Sequence, residues 1–368
     1  MGTADVAGPM KLVIGASGFL GSHVTRQLVE RGDTVRVLLR RTSSTVAVDD
    51  LDVERRYGDV FDDQALRDAM TGCDDVFYCV VDTRAWLRDP APLFHTNVEG
   101  LRHALDAAVD ADLRRFVFTS TIGTIALSAD GGPVTEDEPF NWLDKGGGYI
   151  QSRVEAENLV LRYAPERGLP AVALCVSNTN GPGDFQPTPH GSLLAAAARG
   201  KMPVYVKGMS MEVVGIEDAA RALILAAEKG RIGERYIISE RFISARELYR
   251  TAAEAGGARP PRLGIPLKLM YALGFGGDIA AKVLRRDVQL STLSVRLMHI
   301  MSPMDHGKAE RELGWQLAAM DEHEVGQRHG GALHRSINWE VSISMSVRKS
   351  VKLLLAGSMV IHVTPASA

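Results

Sequence analysis

Short apolar runs alternate with longer stretches of helical spacing through the first half of the chain. Leu12-Val13-Ile14 precedes an amphipathic stretch from His23 through Val29 that ends near Gly32. Thr34–Leu39 follows as a second strand, Asp52–Tyr57 as a short third, and Asp63–Met70 as a helix. Val76–Val81 is nearly all apolar, the pattern of a strand covered on both faces. Pro90–Ala108 reads as a helix, Phe116–Thr119 as a strand, Gln151–Tyr163 as a helix and Ala171–Val176 as a sixth strand. Strands and helices alternating at these lengths predict an α/β fold with a doubly wound parallel sheet. Beyond about residue 180 the segments shorten: Leu193–Arg199, Val204–Val206, Ala219–Glu228, Arg235–Ser239 and Ala245–Glu254. They predict a smaller C-terminal α/β lobe over the carboxyl ends of the strands, where open sheets bind ligands. The expected division is 10–180 for the sheet domain, 181–316 for a substrate lobe interleaved with it, and 317–368 for an atypical tail.

Five segments qualify this picture. Gly131–Pro139 is a polar loop, and Gly146-Gly147-Gly148 is expected to make the approach to Tyr149 mobile. Ile265–Val283 is apolar with helical spacing, interrupted by Lys268 and Asp278. Packing into the lobe is the preferred reading, a position on a membrane surface the other. In the tail, Met320–Arg335 is polar, and its His323, His329 and His334 lack regular ligand spacing. Val351–Val363 is apolar but too short to span a bilayer.

The stretch Lys11–Gly21 concentrates the chemistry. The first apolar run ends on Gly15, with Gly18 and Gly21 at three-residue intervals and helical spacing after them. Strand, glycine turn and helix form the context of a dinucleotide-binding fingerprint. Gly15 permits the tight turn, Gly18 lets a pyrophosphate approach the backbone, and Gly21 lets the helix pack against the strand. N–H groups at the helix start, those of Phe19, Leu20 and Gly21, then face the phosphates, with Ser17 as an added donor. The plain alternative is a glycine turn without a ligand.

The second strand ends at Arg40-Arg41-Thr42-Ser43-Ser44. An NAD site usually places Asp or Glu there to take the ribose 2′-hydroxyl. Arg40 and Arg41 suit a 2′-phosphate instead, which predicts NADP(H), with NAD as the other candidate; two solvated arginines are the alternative. Asp59 is positioned to accept from an adenine amino group with Val60 against the ring, or else to cap the next helix. Cys79, Val80 and Val81 are expected beneath the cofactor.

The 368 residues are 45% hydrophobic and 24% charged, with formal net charge −3, which suits a globular enzyme and argues against a nucleic-acid partner. Cys73, Cys79 and Cys175 lie in apolar runs without metal-ligand spacing, so no metal is expected. Met1–Met10 has neither the basic start nor the apolar core of a signal peptide, and no stretch of about 18 apolar residues is present. The expected setting is cytoplasmic and the expected partner a small molecule, with a homodimer allowed.

Thr121 closes the fifth strand, and Tyr149 precedes Arg153 by one helical turn. A phenol titrating near 10 is a poor acid-base group at neutral pH, and a neighbouring cation lowers its pKa. In isolation a Tyr-x-x-x-Arg pair is usually an ordinary helix contact. The whole order is more specific: the glycine fingerprint, Gly58-Asp59-Val60, Asn97-Val98-Glu99-Gly100, Phe118-Thr119-Ser120-Thr121, Tyr149 with Arg153, Gly181-Pro182-Gly183-Asp184, and the Lys308–Trp315 stretch. It resembles the extended short-chain dehydrogenase/reductases, in the branch of dihydroflavonol-reductase-like and 3β-hydroxysteroid-dehydrogenase-like proteins, over residues 11 to 316.

The resemblance implies a Rossmann domain and a set of roles. Thr121 would hydrogen-bond a substrate carbonyl, and Tyr149 would donate a proton as hydride arrives from the nicotinamide. Arg153 would occupy the place of the family's lysine, holding the ribose and acidifying the tyrosine. Asn97 would brace the nearby helix, and Val176 with Ser177 would line the nicotinamide pocket through their backbone. Two departures stand out: arginine for lysine at 153, and Val176 where proline is common. The expected function is NADPH-dependent reduction of a small, fairly apolar carbonyl compound, or the reverse oxidation. Val80, Val81, Trp86, Ile122, Trp142 and Met211 are candidate pocket residues. The alternatives are a nucleotide-sugar epimerase or dehydratase, for which Lys207 is the lone basic group in Lys207–Val214, a 3β-hydroxysteroid dehydrogenase/isomerase, and a non-catalytic NADP sensor.

Overall fold

The computed structural model describes residues 9–185 and 188–317. The tail segments Met320–Arg335 and Val351–Val363 lie outside the described residues. In chain order the elements are β1 (Met10–Ile14), α1 (Phe19–Glu30), β2 (Thr34–Leu39), β3 (Glu54–Tyr57), α2 (Asp63–Met70) and β4 (Cys73–Tyr78). There follow α3 (Ala91–Phe94), a π-helical turn (His95–Glu99), α4 (Gly100–Val109), β5 (Arg115–Thr121), a 3-10 turn (Ile122–Thr124), α5 (Gly147–Arg167) and β6 (Ala171–Val176). The remainder comprises β7 (Asn178–Asn180), α6 (Pro189–Ala198), β8 (Val204–Lys207), β9 (Ser210–Gly215), α7 (Ile216–Lys229), β10 (Arg235–Ile238), β11 (Arg241–Ser244) and α8 (Ala245–Ala255). Last come β12 (Leu263–Pro266), α9 (Leu267–Leu284), α10 (Thr292–His299) and α11 (Gly307–Leu313).

Seven strands form one sheet in the order β3-β2-β1-β4-β5-β6-β10, and every pairing is parallel. The reversal of direction at β1 and β4 is the switch point of a doubly wound sheet, where a crevice opens at the carboxyl ends. Residues alternate faces along each strand. Val13, Val35, Val37 and Phe77 therefore join Val24 and Leu28 of α1 and Leu223 of α7 on one side. Leu12, Ile14, Leu38 and Val76 join Leu66, Leu101 and Val160 on the other. Under Asp75, at the amino-terminal end of β4, Lys11 Nζ lies 2.5 Å from a carboxylate oxygen that Arg114 also pairs with.

One assignment made from the sequence changes. Arg235–Ser239 was expected in the C-terminal lobe, but β10 is the seventh strand of the main sheet, in register with Ala173–Val176 of β6. The chain leaves the sheet, builds α6 to α7, and returns to it. The lobe itself carries β11-β9-β7 and the β12-β8 pair, with Met209, Met211, Val213, Leu248 and Tyr249 in its core. After α11, Trp315 is fully buried and its Nε1–H donates to the Asp218 carbonyl at 2.9 Å, closing the chain against α7.

The apolar segment beginning at Ile265 packs less than expected. Only Gly274 and Gly277 of α9 are buried, whereas Leu273, Phe275, Ile279 and Val283 are exposed.

Candidate functional site

The carboxyl ends of β1, β2 and β4 border a cleft of about 470 Å³. Among the residues expected to hold a cofactor, Gly15, Ser17, Gly18, Arg40, Asp59, Val60, Cys79, Val80 and Val81 line it. Gly15 has φ +92°, and a Cβ there would sit 2.9 Å from the Cys79 backbone carbon, so the turn requires glycine twice over. A Cβ on Gly21 would lie 2.3 Å from the Gly15 carbonyl oxygen, which explains how closely α1 approaches its strand. Gly18 is the N-cap of α1, and no side chain caps the helix. The first-turn N–H groups of Phe19, Leu20 and Gly21 thus have no intrahelical acceptor and suit an anion. The side chains of Phe19 and Leu20 turn elsewhere, Phe19 edge-on to His23 at 5.5 Å and Leu20 against the core.

The two arginines after β2 part company. Arg40 is exposed and lines the cleft with Ser43, whereas Arg41 lies 5.5 Å over the Tyr57 ring and outside the lining. At the end of β3, Asp59 Oδ1 accepts from the Phe61 N–H at 3.2 Å. The cap of α2 is Asp62, which accepts from Ala65 N at 3.0 Å, so Asp59 is not the capping acid. A Cβ on Gly100 would lie 2.8 Å from Val60 Cγ2, which lets the α4 start seat against this floor.

Sequence reasoning missed the next part of the wall. Asp82, Thr83, Arg84 and Thr96 also line the cleft. Arg84 is held by the Asp82 carboxylate through Nε at 2.9 Å and Nη2 at 2.6 Å, keeping that carboxyl below its usual range despite burial. A polar pair directly after an apolar strand was the available signal. Asn97, on the π-helical turn, accepts from the Asp82 N–H at 2.7 Å and donates to the Asp82 carbonyl and to Ser152 Oγ, each at 3.1 Å. Ser152 Oγ donates to the Tyr149 carbonyl at 2.8 Å. One amide thereby ties the cleft wall to the helix bearing Tyr149, and the wide π turn aims it inward.

Tyr149 stands in the first turn of α5, which begins four residues earlier than expected. The glycines before it are closely packed. A Cβ on Gly147 would meet Leu293 at 2.5 Å, and one on Gly148 would meet Pro90 at 2.4 Å. A Cβ on Gly123 would lie 2.7 Å from Ile150 Cδ1, so the turn after Thr121 touches the turn that carries Tyr149. Thr121 Oγ1 accepts from the Gly123 N–H at 3.1 Å, leaving its own proton free to donate. Tyr149 is half-buried, and its hydroxyl has no hydrogen-bond partner among the described residues.

Burial pushes the Tyr149 phenol above its ordinary value of 10; Arg153 pulls the other way, and Asp82 reinforces the rise. The net shift is opposite to that expected from the cation alone, because desolvation of the phenolate outweighs the guanidinium. Arg153 is 2% exposed. Its Nη2 donates to the Thr119 carbonyl at 2.6 Å, and its guanidinium carbon lies 5.1 Å over the Phe118 ring. Its Nε and Nη1 are buried without partners. One turn further on, buried Glu157 accepts from Ser120, Thr124 and Arg235 at 2.5, 2.8 and 2.8 Å. Tyr149, Arg153 and Glu157 make one stripe of α5 at four-residue spacing, of which sequence reasoning found the first two.

Other expected pocket residues belong to the core. Ile122 packs with Ile125 and Val134, Trp142 is buried with Nε1 donating to the Ile125 carbonyl at 2.8 Å, and Met211 is in the lobe core. Val176 is buried in the sheet core, and the Ser177 N–H donates to Ile238 O at 3.0 Å, so that amide is committed. The Ser177 hydroxyl, by contrast, is buried without a partner.

These residues fit a dinucleotide. The glycine cradle, an uncapped helix start and unsatisfied buried donors on Arg153 and Ser177 are the features that such a ligand satisfies. Fold and cleft together define an enzyme that works with a nicotinamide cofactor.

The comparisons with known proteins narrow the class. Residues 11–239 match the model of the NAD dependent epimerase/dehydratase family, and the chain belongs to that family. It is similar to sterol demethylase protein B of Methylococcus capsulatus, at 32% identity over 82% of this chain and 92% of that one. A putative dihydroflavonol 4-reductase of Synechocystis is 29% identical over 82% of this chain and 88% of its own length. The crystal structure of gox2253 superposes with TM-score 0.75 at 31% identity, covering 90% of this chain and 97% of that one. The chain is thus an NAD(P)-dependent oxidoreductase, an extended short-chain dehydrogenase/reductase acting on CH–OH and C=O groups. No described helix is long and apolar enough to cross a membrane.

Proposed function

We propose that the protein is an NADP(H)-dependent carbonyl reductase, or alcohol dehydrogenase in reverse, for a small and fairly apolar substrate. The observation that carries this reading is the half-buried Tyr149 hydroxyl, without a hydrogen-bond partner among the described residues, one turn from Arg153 on a helix start whose Ile150 packs against the turn after Thr121. The residues for the dinucleotide are Gly15, Ser17, Gly18 and the α1 start for the pyrophosphate, Arg40 for the 2′-phosphate, and Asp59 with Val60 for the adenine. Cys79, Val80 and Val81 floor the cleft. When bound, the reduced nicotinamide supplies the hydride.

The protein's own part is positioning and proton transfer. Thr121 hydrogen-bonds the carbonyl oxygen through its hydroxyl, one of whose lone pairs already accepts from Gly123 N–H, and keeps its proton. Tyr149 gives a proton to the same oxygen as negative charge develops there. A raised pKa keeps the phenol protonated at neutral pH, the form a reduction needs. Arg153 stabilises the phenolate left behind and offers Nε and Nη1 to ribose hydroxyls. Arginine does not release a proton at these pH values, so Tyr149 is reprotonated through solvent or a sugar hydroxyl. The names of the relatives above, a sterol demethylase component and a dihydroflavonol reductase, agree with an apolar substrate. A sugar-nucleotide substrate draws little support: Lys207, the lone basic residue of Lys207–Val214, is exposed at the end of β8.

The test is NADPH consumption with a panel of hydrophobic ketones, sterols and UDP-sugars. Turnover of ketones or sterols that Tyr149→Phe abolishes supports the reading. Redox-neutral conversion of a UDP-sugar, or NADPH binding without any turnover, would overturn it.

A further inference from the structure

Helix α9 presents its apolar side outward, and the packing beneath it leaves no alternative. A Cβ on Gly277 would lie 1.8 Å from the Leu290 carbonyl oxygen, and one on Gly274 would lie 2.9 Å from the Ser291 backbone. The glycine side must therefore face inward, against the segment leading to α10. Two polar contacts fix the same rotation. Asp278 accepts from Thr292 Oγ1 at 2.6 Å, and the Tyr271 hydroxyl is 2.8 Å from His299 Nε2. On the opposite side Leu269, Leu273, Ile279 and Val283 form a stripe at helical spacing, flanked by Phe275. Val283 is 73% exposed, Phe275 61% and Ile279 51%, values far from those of a helix seated on a core.

The charges around this stripe have one dominant sign. Lys268 and Lys282 are the exposed charges of α9, and Arg285 and Arg286 are exposed immediately after it. The helix's acid, Asp278, is the one turned inward. The exposed Asp287 accepts from the Arg88 N–H at 3.0 Å. A local excess of cations beside an apolar stripe, on a chain whose formal net charge is −3, is complementary to an anionic lipid surface.

From this we infer that α9 docks the protein on a bilayer surface containing anionic phospholipid, lying in the interface with its Leu269–Val283 stripe among the acyl chains. The placement has a consequence for the site. Leu293 of α10 abuts Gly147, two residues before Tyr149, and Arg296 Nη1 donates to the Lys145 carbonyl at 3.4 Å. The docking helix is thus joined through α10 to the segment that carries Tyr149. An apolar carbonyl compound dissolved in the bilayer then has a short route to the cleft; this last step rests on the reductase reading, the docking itself does not.

Sedimentation of the full-length protein with phosphatidylcholine vesicles, with and without phosphatidylglycerol, tests the inference without reference to turnover. Binding to the anionic vesicles and its loss at high salt are expected. Lys282→Gln with Arg285→Gln and Arg286→Gln should weaken it on the order of a hundredfold. Leu273→Asp with Ile279→Asp should abolish it even at low salt. Both variants should keep the NADPH fluorescence titration of the parent, which shows that they fold. Failure of the parent to sediment with anionic vesicles overturns the proposal. So does equal binding to both vesicle types, or vesicle binding unchanged in the Asp variant. A parent dimer that becomes monomeric in light scattering when Leu273 and Ile279 are replaced, with no vesicle binding by the parent, assigns the face to a second copy instead. Vesicle binding that persists when no carbonyl compound is turned over leaves the docking standing and removes only the reductase reading.

Discussion

Cofactor preference should rest on one arginine, not two. Arg40 lines the cleft beside Ser43, while Arg41 is drawn over the Tyr57 ring. Arg40→Ala removes a guanidinium from the expected place of the 2′-phosphate; Arg41→Ala removes one that is stacked elsewhere. A unit charge pair about 4 Å apart at an effective dielectric constant near 20 is worth about 4 kcal/mol. Arg40 is exposed, so solvent and salt reduce that to roughly 1.5–2 kcal/mol, near the lower part of the range for hydrogen bonds to charged groups. The result is about a 10- to 30-fold loss in NADPH affinity. NADH, lacking the phosphate, should change less than about twofold, and Arg41→Ala should leave both dinucleotides nearly as they were. Fluorescence titration of each variant with NADPH and NADH, at two salt concentrations, measures all of this. The Arg40 effect should shrink as salt rises. Equal weakening of both dinucleotides by Arg40→Ala, or a larger effect from Arg41→Ala, would refute the reasoning.

Further outcomes follow from the same geometry. Tyr149→Phe should lower kcat for carbonyl reduction by about 10²- to 10⁴-fold while NADPH binding stays constant. The Tyr149 phenol is pushed above 10, so the parent's reduction rate should be level through neutral and mildly alkaline pH and fall only when the proton donor is lost at higher pH. Gly21→Ala places a methyl 2.3 Å from the Gly15 carbonyl oxygen; α1 must move, and calorimetric titration should show weakened dinucleotide binding with the sheet intact by circular dichroism. Glu212 is buried with its carboxyl raised by desolvation, accepting from Ser239 Oγ and Met304 N–H. A folded-state pKa above the unfolded one contributes stability at acid pH that disappears as pH rises through it. Glu212→Gln should therefore raise Tm relative to the parent more at pH 8 than at pH 5, by about 1–2 °C for a gain of roughly 1 kcal/mol in a chain of this size; a larger gain at pH 5 would contradict the sign.

The glycine fingerprint and the strand-helix alternation were legible because they are local. Gly21 is required by a contact with Gly15 six residues away, Gly15 by its own left-handed turn as well as by the distant Cys79 backbone, and apolar runs such as Ala171–Val176 can be read without a partner. Tyr149 and Arg153 were legible as a pair because one helical turn brings them to one side. The contacts that decide their chemistry come from distant segments: Thr119 and Phe118 on β5, Asp82 after β4. Burial by those segments sets the direction of the Tyr149 shift, which the Tyr-x-x-x-Arg spacing alone put the other way. Ile122, Trp142 and Met211 read as pocket residues because apolarity does not distinguish a core from a lining. Arg84 went unnoticed because its role arises only where β4 ends beside β1. The place of β10 was hidden by order, since the lobe elements come between it and β6.

That late return of the chain also sets a rule for biosynthesis. Until residues 235–238 emerge, the six buried residues of β6 form the bare border of the sheet. An uncovered apolar strand edge invites pairing with another chain. A fragment ending near residue 180 should therefore self-associate, and the nucleotide-binding half should reach its native state only after most of the lobe has been synthesised.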